Sequence, residues 1–382
     1  ILEEGTDISA NGGDYSCGGE IKILSWGNTS LSSGVTIQAK GGRFEGDGGF
    51  MEISANNTVN INGGFIDTGA ERGKSGKVLI DPDELNINSD FFSGGGDKVY
   101  QATKKINVGE NVTISTRKIA GTDHLNGTSK GDSGNLTLEA PQIFIKEGAR
   151  LLTFADSGYK GGDIKIIAED SDRIGFEKEA HSLVVIQGAT LKGKNITIQA
   201  TSDTSLLPNL DPELPDPDEV MDNVFGFSGD AICTTSISTA EIEIKGSSVI
   251  EADENIEIYS KALSKTSPIF KMKMVAGAYG ESEAIAKAYF DDNVVVKAGG
   301  KLTLTAESEN VVNVNANSSA TNKPIDFTFS KAKVNTTTQS FIGSNVEVEA
   351  QQVDVIAKTL SLIHISEPTR PRLISYAVFC LK

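Results

Sequence analysis

Along most of the chain, apolar residues come in pairs with one polar residue between them. Ile21-Lys22-Ile23, Val35-Thr36-Ile37, Met51-Glu52-Ile53, Val59-Asn60-Ile61 and Val112-Thr113-Ile114 carry the pattern first. Leu136-Thr137-Leu138, Ile143-Phe144-Ile145, Ile164-Lys165-Ile166 and Ile196-Thr197-Ile198 continue it. Alternation puts each apolar pair on one side of a strand and the Lys, Thr or Asn on the other. Every beat is strand-length and none reaches helix length. The spacers Ser33-Gly34, Gly41-Gly42, Gly48-Gly49, Gly63-Gly64 and Gly161-Gly162 suit corners that need positive φ. Beats this short and regular predict an all-β fold, either a sandwich or a solenoid. Recurrence without a sharp change of composition favours the solenoid. Coils of roughly 20–25 residues, about 4.8 Å apart, would give about 15 coils and a stack on the order of 70 Å.

Residues 63–87, GGFIDTGAERGKSGKVLIDPDELNI, condense the pattern into strand, corner, strand, corner, strand. Gly73 and Gly76 break a helical reading, and Pro82 is expected to stop Val78-Leu79-Ile80 from joining Leu85-Asn86-Ile87 as one strand. Residues 205–222, SLLPNLDPELPDPDEVMD, interrupt the rhythm with four prolines and six acids. They read as an exposed acidic loop or linker. A calcium site is the sharper alternative there, although no glycine-punctuated D-x-D-x-D-G loop is present. The second half repeats more slowly, in phrases aligned on Ala252, Ala298 and Ala350. Spacings of that size would fit about two coils each. Small residues fill the gaps, as at 274–288, where a short helix is the alternative to a strand. Residues 361–382 contain no glycine and are foreign in style; 361–371 resembles read-through of a sequencing adapter and is set apart from fold reasoning. The organisation expected is therefore a β-helix at 1–204, an acidic Pro-rich loop or linker at 205–230, longer-period solenoid repeats at 231–360, and an artefactual or disordered tail at 361–382.

Composition narrows the partners. Of 382 residues, 52 are acidic and 35 basic, a formal net charge of -17. That sign disfavours nucleic acid and anionic membranes. No run of about 18 apolar residues is present to span a membrane as a helix. Cys17, Cys233 and Cys380 stand too far apart for a metal pattern or a disulfide framework, and read as small buried apolar groups. The chain opens at Ile1 with neither initiator Met nor signal peptide, as an internal segment of a longer protein would.

No catalytic constellation stands out, so no catalytic, cofactor-binding or metal residue is assigned and no cofactor is expected. His124 lies in a loop, His181 in a polar insert before the strand at 183–186, and His364 in the suspect tail; solvated loop histidine is the reading favoured for the first two. Asp81, in Leu79-Ile80-Asp81-Pro82, is tempting as a catalytic acid but suits a turn cap better. The arginines Arg43, Arg72, Arg117, Arg150 and Arg173 are sparse for an enzyme that cuts acidic polysaccharides. Gly73-Lys74-Ser75-Gly76 lacks the upstream glycine and the following helix of a phosphate loop. The sequons at Asn28, Asn111 and Asn195 reflect a general taste for Asn and Thr at corners. An ice-binding solenoid would need regular outward Thr arrays, whereas Lys, Glu, Asn and Thr are mixed here.

Residues 63–87 resemble the G-x-[IV]-D…G-K-x-G-x-[VL]-L-I-D-P-x-x-L-x-I stretch of filamentous-haemagglutinin-like large exoproteins of bacteria, with 79–82 the most specific part. The similarity covers roughly 19–200; the second half is similar to the looser repeats of giant bacterial adhesins. The resemblance implies a right-handed parallel β-helix, export through an outer-membrane transporter of the two-partner type, and a non-catalytic role in adhesion. Its partners would be host-cell or surface glycans or proteins, and its location extracellular or at the bacterial cell surface. The family's secretion domain, with its Asn-Pro-Asn-Gly signature, is absent from this chain. The family supplies no active-site residues. A polysaccharide-active β-helix enzyme, lyase or hydrolase, is the competing reading. Low cysteine content suits passage through the periplasm in an unfolded state.

Overall fold

The computed structural model describes residues 1–92, 94–121, 123–173, 177–205, 232–267, 269–272, 275–318 and 327–366. Alternation builds it. In the strand Phe50–Ile61, Met51, Ile53, Val59 and Ile61 are wholly buried while Glu52, Ser54 and Asn60 face outward. Each strand hides only one side, so it needs further strands to close a core around that side.

The chain meets this need by winding. Every pairing between described strands is parallel, and the strands stack on three faces of one coil. The first face runs from Glu20–Ser25 through residues 50–55 and 77–82 to Asp97–Gln101, Leu136–Glu139, Ile164–Ser171, Ile196–Asp203, Ile256–Thr266, Lys301–Ser318 and Gln352–Ser366. The second runs from Thr29–Leu31 through 59–61, 84–87, Lys105–Val108, Gln142–Ile145 and Glu177–Gln187 to Ile232–Lys245, Val275–Phe290 and Phe327–Ile342. The third is made of short strands, from Asp7–Ser9, Thr36–Gln38 and Phe65–Asp67 to Phe91–Phe92, Thr113–Ser115 and onward to Glu347–Glu349. This is an all-β parallel β-helix, with one apolar core running from Ile21 to Ala306. No described residue lies in a helix.

The coils are longer and fewer than the beat spacing suggests. Lys77 pairs with Asp97, a coil of 20 residues, whereas Ile196 pairs with Ile256, a coil of 60. Ten strands on the first face make nine steps, about 43 Å at about 4.8 Å each. Ala252 pairs directly with Ala298, so the slow repeat of the second half is one coil, not two.

Among the described residues, the extra length lies in a flange. From Ile164–Ser171 and Glu177–Gln187 onward, strands of the first and second faces run past the core and pack on each other, reaching 18 residues in Lys301–Ser318. Small residues let the two layers close: Ala168, Ala200, Ala240, Ala262 and Ala284 are buried, as are Ser202, Ser236, Ser238, Ser260, Ser264 and Ser282. The hydroxyls donate across the gap, Ser202 to Ala180 O (2.7 Å), Ser260 to Ala240 O (2.7 Å) and Ser264 to Ser236 O (3.0 Å). Residues read as small-residue filler or a short helix are thus the strand Val275–Phe290.

Two local expectations change. The strand Lys77–Ile87 continues through Pro82. It bends from the first face to the second there, and the facing strand absorbs the bend with a bulge between Ala55 and Thr58. Gly34, Gly63 and Gly64 do have positive φ, but Gly41, Gly42, Gly48, Gly49, Gly161 and Gly162 do not. Several are glycine because coils approach closely: a Cβ on Gly162 would lie 1.9 Å from Gly134 O. Positive φ gathers instead at the corner between second and third faces, at Asn111, Gly148, Gly188, Gly246, Asn293 and Asn345 in successive coils.

The strand Gln352–Ser366 carries 361–366, which pair with the neighbouring coil from Asn310↔Ser361 to Asn315↔Ser366. The rest of the 361–382 segment, Cys380 included, lies outside the described residues. So does the acidic loop beyond Ser205, with its calcium alternative.

Candidate functional site

Outward side chains tie neighbouring coils together. Lys261–Glu307 (3.6 Å), Lys265–Glu309 (3.2 Å), Lys192–Glu251 (3.1 Å) and Lys301–Asp354 (2.6 Å) are ion pairs between neighbouring coils. At one corner, side-chain oxygens take the next coil's N–H: Asp97 from Asn135 (2.7 Å), Asn135 from Asp163 (2.9 Å) and Asn195 from Asn255 (3.1 Å). Two sequon asparagines are thus structural, Asn195 in this ladder and Asn111 at a positive-φ corner.

Asp81 caps no turn. It sits outward in mid-strand, in a row with Gln101 and Glu139, since Ile80 pairs with Tyr100 and Gln101 with Glu139. Gln101 Nε2 donates to Glu139 Oε2 at 2.9 Å. Partial burial, then the charges of Glu52 and Glu139, raise the Asp81 carboxyl above its ordinary range. Asp81 borders a groove of about 410 Å³ with Leu24, Trp26, Glu52, Ser54 and Asn56, where Trp26 is 92% exposed. A second groove, of about 500 Å³, contains Glu139, Thr103, Glu169, Asp170, Arg173 and Asp203. Its lining reaches the flange strands Ile164–Ser171 and Ile196–Asp203. Arg173 pairs with Asp203, and Asp170 accepts the backbone N–H of His181 at 2.7 Å.

His124 is not a freely solvated loop residue. Its ring lies flat on Phe92, centroids 3.8 Å apart, and its Nδ1 is 3.0 Å from Ser115 Oγ. Burial, then the nearby Arg117 charge, lowers its basicity. Arg117 is wholly buried and organises the loop: its guanidinium donates to the carbonyls of His124 (2.6 Å), Leu125 (3.1 Å), Gly127 (2.9 Å) and Phe154 (3.1 Å). Asp156 is its carboxylate partner at 3.4 Å. His181 lies within the strand Glu177–Gln187 and His364 within Gln352–Ser366, so the three histidines occupy separate places. Gly73-Lys74-Ser75-Gly76 leads straight into a strand, with no helix N-terminus to hold phosphate.

Cys17 and Cys233 are exposed rather than buried. Cys233 has an outward slot beside inward Thr234, and Cys17 takes the backbone N–H of Asp47 at 3.3 Å. Among the described residues no group of three or more His, Cys, Asp or Glu could hold a metal.

One polar group hides inside the bore. Lys98 is 1% exposed and lies inward between Val78 and Leu136. Its Nζ has no hydrogen-bond partner among the described residues and stands 4.4 Å from the centre of the Phe91 ring. Burial lowers its pKa to about 7, against the opposing pull of Asp67. The neighbouring Tyr100 hydroxyl is also buried and unpartnered there, and burial pushes it up. Nothing in Asp97-Lys98-Val99-Tyr100 announces this, because the apolar Val99 is the natural inward choice; the pairing of Ile80 with Tyr100 decides otherwise. No protein-family model, no curated protein and no solved structure matches the chain.

Proposed function

We propose that this chain is part of the stalk of a secreted or surface-displayed bacterial adhesin, whose task is reach and attachment rather than catalysis. The observation that carries the reading is the uninterrupted core from Ile21 to Ala306 inside an in-register parallel stack. Such a stack grows in one direction by adding coils and keeps its core unchanged while surface loops vary. The likeness of 63–87 to haemagglutinin-like exoproteins supports an extracellular place, export by a two-partner transporter, and host-cell or surface glycans or proteins as partners. The test is a screen of the chain against glycan arrays and epithelial cells, run beside a polysaccharide-depolymerisation assay. Binding without bond cleavage is the expected result; turnover would overturn it.

A second reading draws on the Asp81, Gln101 and Glu139 row. A carboxyl raised by burial and by neighbouring acids is the usual state of a general acid, and a second carboxylate nearby is the usual partner in glycoside cleavage. In that reading Asp81 donates the proton and Glu139 is the second carboxylate. Depolymerisation abolished by Asp81→Asn would establish it.

A further inference from the structure

The two grooves beside Asp81 and Glu139 follow one another along the corner of the first and second faces as a furrow in two parts, adjoining where the Thr103 N–H donates to Pro82 O at 3.0 Å. Trp26 stands at one end. Asp81 feels the charge of Glu52 from its own groove and of Glu139 from the other, and Gln101 bridges the row to Glu139. From the coil of Glu20–Ser25 to that of Ile196–Asp203 is six steps, about 29 Å. The flange strands Ile164–Ser171 and Ile196–Asp203 line the far part.

We infer that this furrow binds a linear oligosaccharide bearing free amino groups, with a sugar ring against the indole of Trp26 and ammonium groups at Asp81, Glu139 and Glu169. The inference rests on the adhesin reading and names its ligand class. An indole exposed to 92%, beside a leucine exposed to 65%, offers an apolar face to the C–H side of a sugar ring and a π-face to a cation. The carboxylates select against acidic sugars, and the net charge of -17 extends that selection to longer range. Not every acid takes part: Asp83, at the same corner, is paired with Lys104 (2.7 Å), and Lys22 lies 2.9 Å from Glu20 and 3.9 Å from Glu52. A cation near Asp81 and Glu139 offsets the repulsion that, after burial, raises the Asp81 carboxyl. An extended basic peptide fits less well. The strands of the furrow floor, from 50–55 to Leu136–Glu139, each have a partner on both sides, so no free edge is there for a peptide backbone. Sugar hydroxyls need no such edge, because Ser54, Asn56, Gln101 and Thr103 supply side-chain partners.

Trp26 is the only tryptophan, so its fluorescence reports occupancy directly. The full chain is titrated with a glucosamine hexamer, its N-acetylated counterpart and hexalysine. The glucosamine hexamer is expected to change Trp26 emission and to bind at least about tenfold more tightly than either competitor. Calorimetry should show that Trp26→Ala weakens binding about tenfold, that Asp81→Asn with Glu139→Gln abolishes it, and that Phe144→Ala on the second face leaves it unchanged. All four substitutions, in three variants, fall on outward side chains, and circular dichroism checks that the fold survives. Equal binding of hexalysine, or wild-type affinity in both furrow variants, overturns the inference. If cells or other glycans are still bound in that case, the adhesin reading stands without this furrow; loss of both defeats the two together.

Discussion

Replacing Lys98 with Met tests the interior most directly. The lysine amine is buried beside Phe91 and Tyr100, with Asp67 the nearest acid acting on it and itself paired to Lys40 at 3.5 Å. In the unfolded chain the amine titrates near 10.5, in the fold at about 7. Between those values the unfolded chain holds a proton that the folded chain does not. Stability therefore rises with pH from about 7 to about 10.5, and Lys98 contributes no slope below about 7, where both states are protonated. The full window is worth about 5 kcal/mol, and the interval from pH 7 to pH 9 about 2 kcal/mol. Methionine keeps the length of the side chain and removes the charge. Urea unfolding followed by far-ultraviolet circular dichroism at pH 7, 8 and 9 should show the wild type gaining about 2 kcal/mol relative to Lys98→Met over that interval. At pH 7 the variant should be the more stable protein, because no charge is left to desolvate. The Tyr100 phenol is pushed upward and titrates outside this range, so it cancels in the comparison. Parallel profiles, or a Met variant less stable at pH 7, would refute the reasoning and mean that the amine stays charged and partnered in the bore.

Arg117→Met removes the donor to four loop carbonyls, the buried one of Phe154 and the half-buried ones of His124, Leu125 and Gly127, and leaves Asp156 without its cation, so the protein should lose about 3 kcal/mol, with proteolysis appearing within 118–129. Gly162→Ala drives a methyl to 1.9 Å from Gly134 O and should cost about 3 kcal/mol or more, read as a fall in melting temperature. Ser264→Val should destabilise by about 1–3 kcal/mol and raise hydrogen exchange in the flange, because it widens the narrow gap and removes the bond to Ser236 O.

The strands themselves were legible. Ile21-Lys22-Ile23 and its successors alternate cleanly, and the structure buries their apolar members on one side. The winding was less so. The spacing of Ala252 and Ala298 is visible in the chain, but only the parallel pairing shows that it measures a single coil, because small residues such as Ala284 and Ser282 give no sign of forming the inner wall of a flange. Pro82 misleads for a local reason: its missing N–H is harmless at a bend opposite a bulge. The furrow could not be read at all. Asp81, Gln101 and Glu139 lie in different coils, and their adjacency depends on register alone. Lys98 is hidden by the same cause, since a one-residue shift of register would exchange it with Val99.

Unequal coils on a common core make the stack an extensible tether. Each coil holds only to its neighbours, so tension applied to the two ends of the chain can strip coils one at a time and leave the next intact. A stripped coil pays out its whole contour: about 70 Å for the coil between Lys77 and Asp97, and about 200 Å for that between Ile196 and Ile256. The length released by each rupture is thus set by the number of residues in the coil and not by the core, and the longest coils absorb the most work under tension.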